Sequence, residues 1–147
     1  MVVHRVRLFI SLFAFAGFLF GASTASFAAP TLANNVNSTA NEGATLTITN
    51  TLLQVTDPDN AANAITYILG VPPTNGALKK SGTTLANGEP FTQADIDGNT
   101  VTYVHDGSET TSDSFTFTVF TNTGGFIDET TFAIGTVTPI NDAPVLD

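Results

Sequence analysis

The sequence predicts an all-β sandwich, and three observations carry the prediction. Beyond residue 28 the chain is rich in Thr, Val, Ile and Phe, a composition that suits strands and disfavours helices. Turn-forming residues recur about every ten positions, the spacing of short strands packed in two sheets. The stretch SFTFTVFT at 114–121 alternates between apolar residues and Thr from Phe115 to Val119.

The elements follow in order. ATLTIT at 44–49 and ITYIL at 65–69 read as strands. PPTNGAL at 72–78 contains Asn75-Gly76; both residue types tolerate positive φ, so the pair predicts a hairpin turn. FTQADIDG at 91–98 does not alternate. Thr92 followed by Asp95 resembles a capping box, with Asp in place of the usual Glu or Gln, and predicts one helical turn; the alternative is a plain polar loop. TVTYVH at 100–105 is a strand. In SFTFTVFT, period two places Phe115, Phe117 and Val119 in the core. Thr123-Gly124-Gly125 turns the chain back, and TTFAIGTVT at 130–138 closes the sheet. Phe132 and Ile134 share a face there, but Val137 is one position out of phase. A β-bulge at Gly135 would restore the alternation.

The 147 residues allow one domain. Residues 1–28 have the three parts of a secretory signal: a basic opening with Arg5 and Arg7, the apolar run LFISLFAFAGFLF, and small residues that include Ser26 and Ala28. The apolar run falls short of the roughly 20 residues a membrane-spanning helix needs, so cleavage after Ala28 is expected. The absence of Cys excludes a lipid-anchored N-terminus and any disulfide.

The domain from 29 to 142 then depends on its core, on bound metal, or on both. The chain from Ala29 onward carries Lys79 and Lys80 against 13 carboxylates, which leaves it at −11. Such a surface repels phosphate backbones, which argues against nucleic-acid partners, and attracts divalent cations.

Carboxylates gather at a few loops. In LQVTDPDN at 53–60, Asp57 and Asp59 stand two apart around Pro58. Ca²⁺ takes six to eight oxygens in loose geometry, so this pair supplies a fraction of a shell, and by itself reads equally as a solvated turn. A catalytic reading fails. His105, Asp106 and Ser108 lie in a row, but no elbow presents Ser108, and neighbouring strand residues point apart. His105 reads as a structural residue at a strand end. Phe120 and Phe126 flank a turn; they either pack at the edge of the sandwich or present rings on which a sugar would stack.

Together, NEGATLTITNTLLQVTDPD at 41–59, PTNGAL, FTQADI, YVHDGSETTSDSFTFTV and VTPINDAP resemble a cadherin-like repeat, in particular the bacterial form related to the chondroitin sulfate proteoglycan repeat. The resemblance runs from Asn41 to Leu146. It implies a Greek-key β-sandwich of about seven strands that stands in tandem and takes Ca²⁺ at its poles. It also implies ligand roles: Asp57 and Asp59 facing an upstream neighbour, Glu42 facing downstream, Asp106 near an acidic motif, and Asn141 and Asp142 in the linker. Thr121-Asn122-Thr123 occupies a turn where relatives often carry Asp, so the upstream site is expected to lack one ligand. Ala29, Pro30 and Leu32 recur as Ala143, Pro144 and Leu146 after 114 positions. Residues 143–147 therefore read as the start of a following repeat or as a linker tail. The expected function is a secreted, non-enzymatic, Ca²⁺-stiffened spacer or adhesion module at the cell surface or in the periplasm. Neighbouring repeats or a cell-surface protein would be its partners. The alternative is a carbohydrate-binding module for surface polysaccharide.

Overall fold

The computed structural model describes residues 26–141. The expected signal segment, apart from residues 26–28, lies outside them, as do Asp142 and the 143–147 tail. Eleven strands form three sheets. β1 (Thr31–Asn35) pairs with β4 (Leu53–Thr56). A five-stranded sheet runs in the order β2 (Ser38–Asn41), β11 (Phe126–Thr138), β10 (Asp113–Thr121), β5 (Ile65–Leu69), β8 (Pro90–Thr92). A four-stranded sheet runs β3 (Thr45–Thr47), β9 (Val101–His105), β6 (Gly76–Lys80), β7 (Thr83–Thr84). The chain crosses repeatedly between the two larger sheets, so β5 lies beside β10 and β3 beside β9. The strand count exceeds the expected seven because five strands have four residues or fewer.

The sheets close on one core. Phe115, Phe117 and Val119 are all buried, as their alternation requires. Phe115 stacks on Phe132 with ring centroids 5.0 Å apart, and Tyr67 on Phe91 at 4.8 Å. The four-stranded sheet contributes Leu78, Val101 and Tyr103. Burying a large apolar side chain is worth about 1.5–3 kcal/mol, and among the described residues no disulfide supplements this core.

Local features follow the chemistry of single residues. The helical turn is α1 (Gln93–Asp97), with the full reciprocal cap: Thr92 accepts from the Asp95 N–H, and Asp95 accepts from the Thr92 N–H. Gln93 beneath it is buried; its Oε1 accepts from the Val55 N–H and the Tyr67 hydroxyl. At Gly135 the parallel pairing of β11 with β2 skips a residue between Ile134 and Thr136. This is the expected bulge, and Val137 is buried at 2% exposure as a result. The freed Gly135 N–H donates to Asn37 Oδ1 at 2.8 Å.

The Asn75-Gly76 hairpin is corrected. β5 and β6 belong to different sheets, and Gly76 begins β6 opposite His105. A Cβ on Gly76 would strike the Val104 carbonyl oxygen and the Tyr103 ring, so glycine serves close approach there. The two-residue hairpin turn is Ser81-Gly82, at φ 49° and 82°, joining β6 to β7.

Candidate functional site: two acidic poles

The predicted ligands separate to the two ends of the sandwich. At the upstream end the chain enters through residues 28–30 into β1. β4 delivers the turn that carries Asp57 and Asp59 to the same end. Asp57 Oδ1 accepts the Asp59 N–H at 2.8 Å, which curls the turn. The Ala28 N–H donates to Asp59 Oδ2 at 2.6 Å. Asp57 is 8% exposed, and its Oδ2 is buried with no hydrogen-bond partner. Such an orphaned carboxylate oxygen is costly in a dry environment and calls for a cation or a donor. Asn60 Nδ2 donates to Thr123 Oγ1 at 2.6 Å and ties this turn to the β10–β11 hairpin. That hairpin presents Thr121 and Thr123 hydroxyls where a carboxylate was sought.

At the downstream end Glu42 follows β2 and is 6% exposed. Its Oε2 accepts the Ile140 N–H at 3.0 Å, and its own N–H donates to the Thr138 carbonyl, so it grips the departing chain just before Asn141. His105 joins Glu42's turn to that of Asp106. Its Nδ1 accepts N–H bonds from Gly43 and Gly107 at 3.3 and 3.1 Å, and its Nε2 lies 2.9 Å from Thr110 Oγ1. An Nδ1 that accepts leaves the proton of the neutral ring on Nε2, where it donates to Thr110. Glu42, Gly43, Gly107 and Ile140 line one shallow cleft. Asp106 stands beside it. The hydroxyl and N–H of Ser108 donate to its Oδ1 and hold its carboxyl below the usual carboxylate range, with His105 adding to the effect.

The structure thus brings Asp57 with Asp59, and Glu42 with the Asp106 turn and the Asn141 end of the chain. It does not bring the two groups together. Among the described residues, no three His, Asp or Glu side chains gather closely enough to hold a metal ion by themselves. Their donors are oxygens, as Ca²⁺ prefers. Ser108 Oγ donates to Asp106 rather than to His105, so the linear trio is no triad. Among the described residues no helix is long and apolar enough to cross a membrane.

Phe120 and Phe126, the pair for which edge packing and a sugar-stacking role were both open, are 52% and 61% exposed and pair across the hairpin. Two further residues carry more structure than their sequence context signalled. His105 is the hub of the downstream pole. Asp113, 9% exposed, accepts from the N–H groups of Thr74, Asn75 and Ser114 and from the Tyr103 hydroxyl.

A family model described as cadherin-like matches residues 30–134. The chain is similar to the mouse extracellular matrix organizing protein FRAS1, 37% identical over 97 residues that make up 65% of this chain. It is 37% identical over 105 residues, 71% of its length, to the human FRAS1-related extracellular matrix protein 1. It is 38% identical over 78 residues, 53% of its length, to extracellular matrix protein 3 of Lytechinus variegatus. The chain spans only 2%, 5% and 2% of these relatives.

Proposed function

The chain belongs to the cadherin-like family, and from that premise we propose that it is an extracellular, non-enzymatic spacer or adhesion module whose poles take Ca²⁺ where it meets neighbouring repeats. The relatives are extracellular matrix proteins by name, which supports secretion and a matrix or cell-surface partner. One observation carries the Ca²⁺ reading. Each pole couples its carboxylates directly to the chain segment that would run to a neighbour: Asp59 to Ala28 at entry, and Glu42 to Ile140 at exit. A cation held there cancels like charge and stiffens the junction. The ligands are Asp57 and Asp59 upstream, and Glu42, Asp106, Asn141 and Asp142 downstream. The unpartnered Oδ2 of Asp57 supports the upstream group.

Either pole lacks the ligands that a neighbour would supply. Complete extracellular modules bind Ca²⁺ at about 10⁻⁴–10⁻³ M, so the single chain is expected to bind in the millimolar range or above. A protein joining two copies through residues 137–147 is expected to bind more tightly. Asn in place of both Asp57 and Asp59 in its second copy should remove the gain. Calorimetry with Ca²⁺ and with Mg²⁺ tests this. No binding by the joined pair overturns the Ca²⁺ reading, and micromolar binding by the single chain overturns the half-site argument.

The exposed Phe120–Phe126 pair favours a second reading, a carbohydrate-binding face. Two adjacent rings on a sheet offer a platform for stacked sugars. Retarded migration of the chain through gels containing neutral polysaccharide, lost on Phe120→Ala with Phe126→Ala, would support it. Equal migration of both proteins would remove it.

A further inference from the structure

Among the described residues, the upstream pole concentrates negative charge with no cationic side chain paired to it. Among the described residues the one contact between oppositely chargeable groups is His105 with Asp106, at the other pole. Lys80 points its Nζ to the Pro90 carbonyl on the side of the sandwich. Asp57 nevertheless buries an oxygen with no partner, and Asp59 draws the entering backbone to 2.6 Å through the Ala28 N–H. The next backbone nitrogen belongs to Ala29, less than one Cα step of about 3.8 Å further on. Behind it Pro30 is buried and packs over Gly125 so closely that a Cβ there would meet the proline ring. The chain is therefore anchored one residue beyond Ala29, and Ala29 itself is exposed.

We propose that removal of the leader after Ala28 delivers the α-ammonium of Ala29 into this pole, where it pairs with Asp59 and Asp57 as the pole's own cation. A leader peptidase hydrolyses the Ala28–Ala29 bond with one water. Ala28 departs with the new carboxylate, and Ala29 keeps the amine, which takes up a proton. Ser26 and Ala28 supply the small side chains such a peptidase accepts. The ammonium replaces the lost Ala28 N–H and brings three donors where the peptide brought one. It joins Lys79 and Lys80 as a third positive group against 13 carboxylates. The first pole of the mature chain is then closed without metal, which leaves the downstream pole as the place where Ca²⁺ gains most. The inference rests on the secretory part of the proposed function; it confines the upstream part of the Ca²⁺ reading to repeats that follow another, and its test involves no metal.

The test uses the full chain recovered from secretion, in metal-free buffer. Mass spectrometry should place its N-terminus at Ala29. Thermal unfolding is then compared between the free and the α-acetylated amino terminus, in the parent chain, in Asp59→Asn and in Glu109→Gln. Acetylation should lower the melting temperature of the parent by a few degrees, less at high salt because exposed pairs are screened. The drop should vanish in Asp59→Asn and persist in Glu109→Gln, whose substitution lies at the opposite pole. An N-terminus at another residue, a melting temperature indifferent to acetylation, or a drop that survives in Asp59→Asn overturns the proposal. Because no metal is present, failure of the Ca²⁺ titration leaves this test unaffected.

Discussion

Asp113 opens β10, and its two oxygens collect five donors: the N–H groups of Thr74, Asn75 and Ser114, the Thr74 hydroxyl, and the Tyr103 hydroxyl at 2.9 Å. The loop before β6 is thereby fastened to a strand of the other sheet. Asp113→Ala removes the acceptor from several part-buried donors, the Tyr103 hydroxyl keeping only its longer bond to the Asn75 carbonyl, and each such loss costs about 1–3 kcal/mol. Urea denaturation should show about 2–4 kcal/mol lost in total; a change of a few tenths would mean that water replaces the carboxylate. Asp106 illustrates the opposite case, an exposed carboxyl governed by one neighbour. Its pKa lies below the ordinary value because Ser108 donates twice to it. Its folded pKa is depressed, so its contribution is present above the unfolded value and is lost as pH falls through the folded one. Ser108→Ala should move the Asp106 titration, followed by carboxyl NMR, up toward 3.8. An unmoved titration would assign the depression to the backbone N–H of residue 108, with His105 behind it. Neither role was legible in the sequence. Asp113 meets partners 10 and about 39 positions away, and nothing in an isolated Asp marks such a meeting. Gly76 misled for a related reason: Asn-Gly signals a turn locally, and the Tyr103 ring that requires the glycine comes from another strand.

Among the elements, β10 was the most legible. Its alternation is local, and its inward residues need only an apolar neighbour. Phe117, fully buried against Tyr67, should cost about 3–5 kcal/mol when cut to Ala. Thr116 lies on the other face, where its hydroxyl accepts from the Val71 N–H and donates to Glu129. Both bonds are exposed to solvent, and water substitutes for them, so Thr116→Ala should cost about 1 kcal/mol or less. Equal losses on chemical denaturation would place the wrong face inward. The α1 turn and the Gly135 bulge were legible for the same reason: a cap is written within four residues, and a slip of phase within three. β1 and β2 were not legible. TLANN and STAN are polar, and they are strands because β4 and β11 pair with them from 18 to about 100 positions away. The site divides in the same way. The acidic residues and the end of the sandwich each serves were legible through resemblance and loop position. Their anchoring by His105, by Ala28 and by Ile140 depended on contacts between distant segments.

At the scale of the whole molecule, the two larger sheets share one core and the chain crosses between them repeatedly, with no disulfide to add to it, so their separation should be a single event. The chain carries its own reporters. Its two tyrosines are both fully buried, Tyr67 on β5 of the five-stranded sheet and Tyr103 on β9 of the four-stranded one, and there is no Trp to obscure them. Burial raises the pKa of Tyr67 well above its usual 10.0, and the charge of Asp97 adds to it. Burial raises Tyr103 as well, and its hydrogen bond to Asp113 reinforces the neutral form. With both folded values raised, the stability tied to the phenols is intact below pH 10.0 and declines as pH climbs past it. The unfolded chain loses protons there, and the folded chain keeps them. Phenolate absorbance should therefore stay flat above pH 10 until the sandwich opens, and then report both tyrosines in one cooperative step that coincides with the loss of β-sheet dichroism. The same step should move to lower pH in Phe117→Ala, which weakens the core without touching either hydroxyl. One tyrosine ionising ahead of the dichroism change would mean that its sheet opens alone, and would contradict a core shared between the two.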